Sequence, residues 1–155
     1  SIASPKFAEL YKQNEFKLLE KVTQQSTKLI FWTTLPLVIV FILFSEQLML
    51  LFGDEFRVGI FSFIVLSLGR VVVSFSGAAG NLLQMCGKQV IFMNVAIVGS
   101  LVNIILNLTL IPIYGIDGSA IATMISLIVF NLLLVYFVKR EFGFYTFYIP
   151  FKKLN

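Results

Sequence analysis

Hydrophobic residues fall into four long runs along the chain, separated by short polar turns. The runs cover residues 29–51, 58–84, 89–113 and 117–138, and each is long enough to supply the ~20 residues that a helix needs to cross a bilayer. Because the turns are short, neighbouring runs are expected to lie antiparallel. The pattern therefore predicts an all-α fold, a polytopic transmembrane helix bundle of four spans over residues 29–138.

Two charged segments flank the predicted bundle. In residues 1–28, lysines and glutamates are interspersed with apolar residues at roughly helical spacing, namely Phe7, Leu10, Tyr11, Leu18 and Val22. This pattern predicts a cytoplasmic amphipathic segment, which either lies on the membrane surface or forms a solvated linker helix. Residues 139–155 are dense in aromatic side chains, which is typical of an interfacial belt but also of the approach to another span.

The composition indicates an integral membrane protein and argues against most enzymes. Hydrophobic residues make up 58% of the 155-residue chain and charged residues 13%, whereas soluble domains average roughly 45–50% and about 25%. The single cysteine, Cys86, allows no internal disulfide, and the chain contains no histidine, the commonest general base and metal ligand. We therefore expect no catalytic residue, no metal site and no cofactor.

The basic residues are distributed unevenly between the two sides of the predicted bundle. One side carries Lys6, Lys12, Lys17, Lys21, Lys28, Lys88, Lys139, Arg140, Lys152 and Lys153, and the other carries only Arg57. Since cytoplasmic loops are enriched in lysine and arginine, this bias predicts that both termini are cytoplasmic. The net charge of +4 therefore reflects membrane topology, and we expect the lipid bilayer rather than a nucleic acid as a partner.

Arg70 lies in the middle of the second run, in the stretch SLGRVVVSFSGAAGNLLQ. A continuous helix would place it on one polar face, made by Ser67, Arg70, Ser74, Gly77, Asn81 and Gln84. An arginine at the bilayer centre costs roughly 2.5–3.5 kcal/mol and usually faces a bundle interior or a water-filled cavity. Arg70 is therefore expected to bind an anionic substrate group, or else to pair with a carboxylate elsewhere in the protein. The predicted substrate-binding residues are Arg70, Ser74, Asn81 and Gln84.

Weaker patterns lie in the third and fourth runs. Serine and asparagine recur on one face of the third run, where their side chains either line a path or bond one helix to another. Small residues recur every four positions at the start of the fourth run, a ridge that predicts close helix packing. The predicted cavity or helix-contact residues are Ser67, Ser100, Asn103 and Asn107, and the predicted packing residues are Gly118, Ala122 and Ser126.

Three segments resemble one family of membrane proteins. SPKFAELYKQNEFKLLEKVTQQSTKLIFWTTLPLVIVFIL is similar to the basic cytoplasmic loop and following helix of polysaccharide flippases, and LMLLFGDEF is similar to an external turn of that family. The most specific match is NIILNLTLIPIYGIDGSAIATMIS, residues 103–126, which resembles a signature across two helices. The chain is identified as a member of the multidrug/oligosaccharidyl-lipid/polysaccharide exporter superfamily, in its polysaccharide-transport branch of O-antigen-type flippases.

The resemblance implies a function and a set of partners. Such flippases have two six-helix lobes around a central cavity, so the chain is expected to be a C-terminal-lobe fragment that lacks the first lobe of the same protein. The family moves polyprenyl-pyrophosphate-linked oligosaccharide across the bacterial cytoplasmic membrane for polysaccharide biosynthesis, by alternating access about a central site. The anionic pyrophosphate of that substrate suits a cation such as Arg70, although the family motifs do not themselves contain this arginine.

Two other functions stay open at this point. A cation-coupled multidrug exporter of the same superfamily would need acidic residues inside its cavity, and the centres of the four runs contain none. A non-transporting four-span membrane protein that only packs against partners would not need a central arginine.

Overall fold

The computed structural model describes residues 3–147, and side chains from residue 5 onward. Its helices are α1 (Ala3–Lys12), α2 (Phe16–Leu43), α3 (Ser45–Leu50), α4 (Ile60–Ser76), α5 (Ala79–Met85) and α6 (Gln89–Phe142), with a 3-10 helix at Asp54–Gly59. No strand occurs in this part of the chain, so the all-α prediction is confirmed. Residues 148–155 of the predicted aromatic tail lie outside the described residues.

Within residues 3–147, three helical segments are long and apolar enough to cross a membrane: Phe16–Leu43, Asp54–Ser76 and Gln89–Phe142. The first of them begins well before the predicted run, because the partly charged segment 16–28 is helical and continues into the apolar run as one helix. Pro36 lies inside α2, which stays helical through it. The chain is therefore a helical membrane protein, as the hydrophobic pattern predicts.

Helix α6 reverses direction at Gly115, so its two halves pack against each other. The φ of 57° and ψ of −130° at Gly115 suit glycine, which has no Cβ, and strain any other residue. On either side of this turn, the Phe92 and Phe130 ring centroids lie 5.9 Å apart, and a Cβ on Gly118 would collide with the Leu110 carbonyl. From the first of these contacts to the second, the residue number rises on the first half of α6, from 92 to 110, and falls on the second half, from 130 to 118. The first half (89–114, α6a) and the second half (116–142, α6b) are therefore antiparallel.

Helices α4 and α6b are parallel, and small residues of α4 form the contact line between them. Three contacts recur seven residues apart on both helices: Ser62 with Asp117, Gly69 with Met124, and Ser76 with Asn131. In the first and third, the serine hydroxyl donates a 2.7 Å hydrogen bond across the contact. A seven-residue repeat keeps the same stripe facing a parallel partner, as in a coiled coil. We call this contact line the seam.

The long helices form a row. On one side of α4, the Phe31 and Phe75 rings lie 4.7 Å apart and the Phe41 and Phe63 rings 5.8 Å apart, which packs α2 against α4. On the other side, the seam joins α4 to α6b, and α6b packs back on α6a. The order across the row is therefore α2, α4, α6b and α6a.

The second predicted run, 58–84, is two helices rather than one. Helix α4 ends at Ser76, Gly77 has φ 47° and ψ −101°, and α5 begins at Ala79. A Cβ on Gly77 would lie only 2.6 Å from Thr27 Cγ2 of α2, and the Thr27 hydroxyl accepts a 3.4 Å hydrogen bond from the Ala78 N–H. The backbone at Gly77 therefore turns where α2 approaches too closely for a side chain.

The main hydrophobic core lies at one end of the row. Its buried members come from α1, the start of α2, α5 and both ends of α6, namely Phe7, Leu10, Leu19, Ala78, Ala79, Leu82, Leu83, Cys86, Val95, Leu134, Val135, Val138 and Phe142, with Phe144 just beyond. Phe7 and Leu10 are each only 1% exposed. The apolar face of α1 thus packs against protein, whereas the sequence led us to expect a membrane surface or solvent. The chain turns between α1 and α2 at Asn14, where φ is 58°.

Ion pairs tie the ends of the helices together. Lys88, in the turn before α6, lies 2.6 Å from Glu141 near the end of α6b. The hydrogen bond that Lys88 donates to this carboxylate raises the pKa of Lys88 above its usual value. Towards the other end of α4, Arg57 lies 3.5 Å from Glu46, and both side chains are more than half exposed. The first pair therefore closes the core end of the row, while the second is a surface contact.

We predict that Gly77→Ala destabilises the protein by about 1–3 kcal/mol, because the new Cβ meets both an unfavourable φ and the backbone of Thr27. The thermal midpoint of the purified full-length protein in detergent checks this. Gly59→Ala is the matched control, since Gly59 has φ −87° and its Cβ would meet only Met49 Sδ at 3.8 Å. Equal midpoints for the two variants would contradict the role given to Gly77.

Candidate functional site

The row has two faces, and helical geometry decides which side chains lie on each. On α4, Gly69 points at α6b through its contact with Met124. Arg70 follows Gly69 by one residue, whereas Thr123 precedes Met124 by one residue. Because the two helices are parallel and each residue turns a helix by about 100°, these opposite steps turn Arg70 and Thr123 to the same side. We call this side the polar face.

An open groove of about 470 Å³ lies on the polar face between α6a and α6b. Its polar lining is Ser100, Asn103, Thr123 and Ser126, and its other lining residues are Ala96, Gly99, Ile104, Leu127 and Phe130. Gly99, on one wall of the groove, has no side chain, and a Cβ there would lie only 3.2 Å from the Phe130 side chain of the other wall. The groove therefore combines hydroxyl and amide groups with an aromatic ring at one end.

Arg70 lies level with this groove. It is one residue, or about 1.5 Å along the axis, from the Gly69 contact with Met124, and Met124 is next to Thr123. Arg70 is exposed, and within residues 3–147 the structure records no hydrogen bond or ion pair for it. The arginine that the sequence singled out thus remains free to meet a group from outside these residues.

The hydroxyls of the two serines predicted beside Arg70 are already hydrogen-bonded, unlike the Arg70 guanidinium. Ser67 and Ser74 are buried, and each hydroxyl donates to a carbonyl of its own helix, to Phe63 O at 2.7 Å and to Val71 O at 2.6 Å. Such back-bonding satisfies a hydroxyl without any partner helix or ligand. These serines therefore serve the packing around Arg70 in this structure.

Asn81 and Gln84 do not continue the polar face of α4. Both are exposed, but they lie on α5, beyond the break at Gly77. The expectation that all six polar positions share one helix is wrong, because that helix ends at Ser76. A substrate-binding role for Asn81 and Gln84 stays a prediction.

The asparagines of α6a connect to α6b and to each other. The Asn103 amide donates a 2.9 Å hydrogen bond to Ser126 Oγ on α6b. The Asn107 amide donates to Asn103 O at 2.8 Å and to Asn103 Oδ1 at 3.0 Å. Ser100 adds an exposed hydroxyl to the groove. Asn103 thus both joins the two helices and lines the groove.

The predicted packing ridge lies against α6a. Gly118, Ala122 and Ser126 are all buried, and Gly118 is so close to Leu110 that no Cβ fits between them. Close approach of this kind is the usual reason for small residues at four-residue spacing in membrane helices. The ridge brings the two halves of α6 near enough for the hydrogen bond from Asn103 to form.

Sequence reasoning missed the polar pairs of the seam. Asp117 and Asn131 accept hydrogen bonds from Ser62 and Ser76, and none of the four was singled out beforehand. The usable signal is the seven-residue spacing of Ser62, Gly69 and Ser76, which matches a parallel helix contact. Thr123 was also missed as a groove residue, since its spacing from Asn103 carries no local pattern.

The polar face can bind an anion and neutral polar groups, but it has no metal-binding cluster. Within residues 3–147, no group of three or more histidine, cysteine, aspartate or glutamate side chains is arranged to hold a metal ion. A guanidinium binds phosphate oxygens through two parallel hydrogen bonds. Hydroxyl and amide groups hydrogen-bond without a change of charge. The arrangement is therefore suited to an anionic ligand that carries hydroxyl groups.

Comparisons with known proteins show which family the chain resembles. The MatE family model matches residues 3–109. The probable low-salt glycan biosynthesis flippase Agl15 of Haloferax volcanii is 26% identical over 136 residues, covering 87% of this chain and 29% of that protein. An uncharacterized membrane protein of Methanocaldococcus jannaschii is 26% identical over 106 residues, covering 68% of this chain and 21% of that protein.

The chain therefore spans less than a third of the length of these relatives. No solved structure matches it significantly. The family match covers most of the chain, including α1 to α5 and nearly all of α6a, and it agrees with the resemblance seen in the sequence. The chain belongs to the MatE family, within the multidrug/oligosaccharidyl-lipid/polysaccharide exporter superfamily.

Proposed function

We propose that the chain is part of a flippase that moves an anionic, lipid-linked oligosaccharide across a membrane, with the polar face lining the path. The observation that carries this proposal is that Arg70 and the groove lie on the same face and at the same level. The relative named as a glycan biosynthesis flippase supports the substrate class.

The cost of Arg70 argues for a ligand. An arginine near the bilayer centre costs roughly 2.5–3.5 kcal/mol unless it meets water or an anion. Two carboxylates beside the long helices have other partners, since Glu46 on α3 pairs with Arg57 and Asp117 accepts a hydrogen bond from Ser62. A pyrophosphate that passes along the polar face would supply the missing anion for as long as it is bound.

The groove suits the sugar part of such a substrate. Ser100 presents an exposed hydroxyl, and Phe130 offers an apolar ring. The Thr123 hydroxyl already donates to Ser119 O at 2.8 Å and the Asn103 amide to Ser126 Oγ at 2.9 Å, so these two residues offer their side-chain oxygens as acceptors. Sugar hydroxyls both donate and accept hydrogen bonds, so side chains of these types match them without charge. Flipping breaks no covalent bond, so the proposed activity asks for no nucleophile or general base.

The topology that we infer for this part of the protein has four crossings. Helix α6 has 54 residues, which would measure about 80 Å if straight, far more than the ~30 Å core of a bilayer. Because its halves are antiparallel, we infer that α6a and α6b cross separately. The parallel seam agrees with this, since α4 and α6b would then run in the same direction across the membrane.

With this topology, the distribution of lysine and arginine favours a cytoplasmic location for both ends of the chain. The membrane would then be the cytoplasmic membrane of the cell. The expected bacterial host stays a prediction, and both relatives are archaeal proteins. The first lobe of the protein, as a partner that closes the cavity, belongs to the same proposal.

We predict that single cysteines at Asp54 and Tyr114, in a cysteine-free background, react with a membrane-impermeant maleimide added outside intact cells. Lys17→Cys, near the start of α2, should react only after the cells are opened. All three positions are exposed, so labelling reports the side of the membrane. Labelling of Asp54→Cys and Tyr114→Cys from opposite sides would contradict the four crossings.

We predict that Arg70→Ala lowers export of the surface glycan at least tenfold without lowering the amount of protein in the membrane, because the anion loses its cation. Arg70→Lys should keep part of the activity, since the charge remains while the two-pronged hydrogen bond is lost. Glycan at the cell surface and protein in the membrane fraction are measured together.

Arg57→Ala is the matched control, because Arg57 is an exposed arginine that pairs weakly with Glu46. It should export normally. Normal export by Arg70→Ala at equal expression would remove the proposed anion site. A fall in protein level alone, with normal export per molecule, would instead assign Arg70 a structural role.

A further inference from the structure

We propose that the face opposite the polar face binds one anionic membrane lipid, with an acyl or prenyl chain in a recess between α4 and α6b and the head at Lys139 and Arg140. This site goes beyond the transport function. It follows from the shape, polarity and charge of residues that the polar face does not use.

The recess has a volume of about 250 Å³. It is lined by Val72, Phe75, Ser76, Ile128, Asn131, Leu132 and Phe147. Val72 lies three residues after Gly69 and Ile128 four residues after Met124. These steps turn both side chains away from the polar face, at about 100° per residue, so the recess opens on the other side of the row.

The recess has no polar group to offer a ligand. Ser76 is 2% exposed and Asn131 8% exposed, and they bond to each other at 2.7 Å. The Asn131 amide also donates to Leu127 O at 2.8 Å. With these groups satisfied, the remaining lining is aliphatic and aromatic. The recess therefore matches a hydrocarbon chain and not a sugar.

A cation lies on the same face, beyond the end of the recess. Lys139 follows Leu132 by seven residues, which is two helical turns or about 10 Å along α6b. Its Nζ lies 3.7 Å from the ring centroid of Tyr145. The chain turns back after Gly143, where φ is 82°, so that Phe147 reaches the recess. One segment thus joins the cation to the apolar pocket.

The positive charge at this end is not cancelled by its neighbouring carboxylate. Glu141 is engaged with Lys88 at 2.6 Å. Lys139 and Arg140 are exposed, and within the described residues neither has an ion pair. A basic pair beside an apolar surface at a helix end attracts anionic lipid heads, by about 1 kcal/mol for each cation.

The side chains around the recess favour a lipid over another helix. Membrane helices approach one another through small or hydrogen-bonding residues, as they do at the seam and the groove. Here the rim is bulky, since Leu132 is 54% and Tyr136 59% exposed. Large apolar side chains of this kind are what a membrane helix presents to lipid chains.

Native mass spectrometry of the full-length protein tests the site, with phosphatidylglycerol and phosphatidylcholine of equal chain length added to the detergent-purified sample. The wild type should retain one phosphatidylglycerol in preference to phosphatidylcholine. Lys139→Ala/Arg140→Ala should weaken that binding about thirtyfold, from roughly fivefold for each cation. Val72→Phe, which fills the recess from its exposed rim, should weaken binding of both lipids.

The matched control is Lys17→Ala/Lys21→Ala, which removes two exposed lysines that do not line the recess and should leave binding unchanged. An equal loss in this control would reduce the effect to general surface charge. Unchanged binding in Val72→Phe would overturn the recess as the chain site, and Leu132→Trp checks this with a second filling. Absence of any retained phosphatidylglycerol in the wild type would overturn the lipid site. The readout is lipid binding, so the outcome does not depend on the proposed transport.

Discussion

The seam between α4 and α6b is the contact on which both faces of the molecule depend. Lipid chains are as apolar as leucine, so membrane helices associate through close packing and hydrogen bonds. The seam supplies both, with Gly69 between two serines that donate across the contact. A slip of one residue would rotate the side chains of one helix by about 100°. Arg70 would then turn away from the polar face, and the pairs at either end would be broken.

Two glycines let the chain reach the positions that the seam requires. Gly115 allows α6 to reverse, so that α6b returns alongside α6a. Gly77 lets α4 stop where α2 is closest and lets α5 leave in a new direction toward α1. Each takes a positive φ that other residues adopt at a cost. The core at one end of the row forms because α5 leaves the line of α4 at that point.

The membrane class and the helical fold could be predicted from the sequence, since they depend on composition and on the lengths of the apolar runs. The central arginine is evident in the sequence itself. The sequence did not predict the break at Gly77, because hydropathy carries no information on backbone direction. The stretch Gly-Ala-Ala-Gly is apolar whether the helix continues through it or ends there. The packing of Phe7 and Leu10 was missed for a related reason. An amphipathic helix has the same pattern whether its apolar face meets lipid or protein, and only the position of α5 decides between them. The seam was not recognised from the sequence, because its three residues are spaced seven apart and many other serines and glycines lie between and around them.

Polar side chains in these helices fall into two groups, and the division carries the functional argument. Most of them are satisfied within the row: Ser62 by Asp117, Ser76 by Asn131, and Asn103 by Ser126. Such pairs hold helices together, and they offer little to a ligand because their hydrogen bonds are already made. Arg70 differs, since a full charge cannot be satisfied by the backbone of its own helix, and its position on the polar face leaves it open to an anion. Because a charge at the centre of a membrane helix is costly, we propose that Arg70 is kept for an anion that it binds. In the neighbouring groove, Ser100 is likewise exposed, and we propose that it meets the part of the ligand that follows the anion.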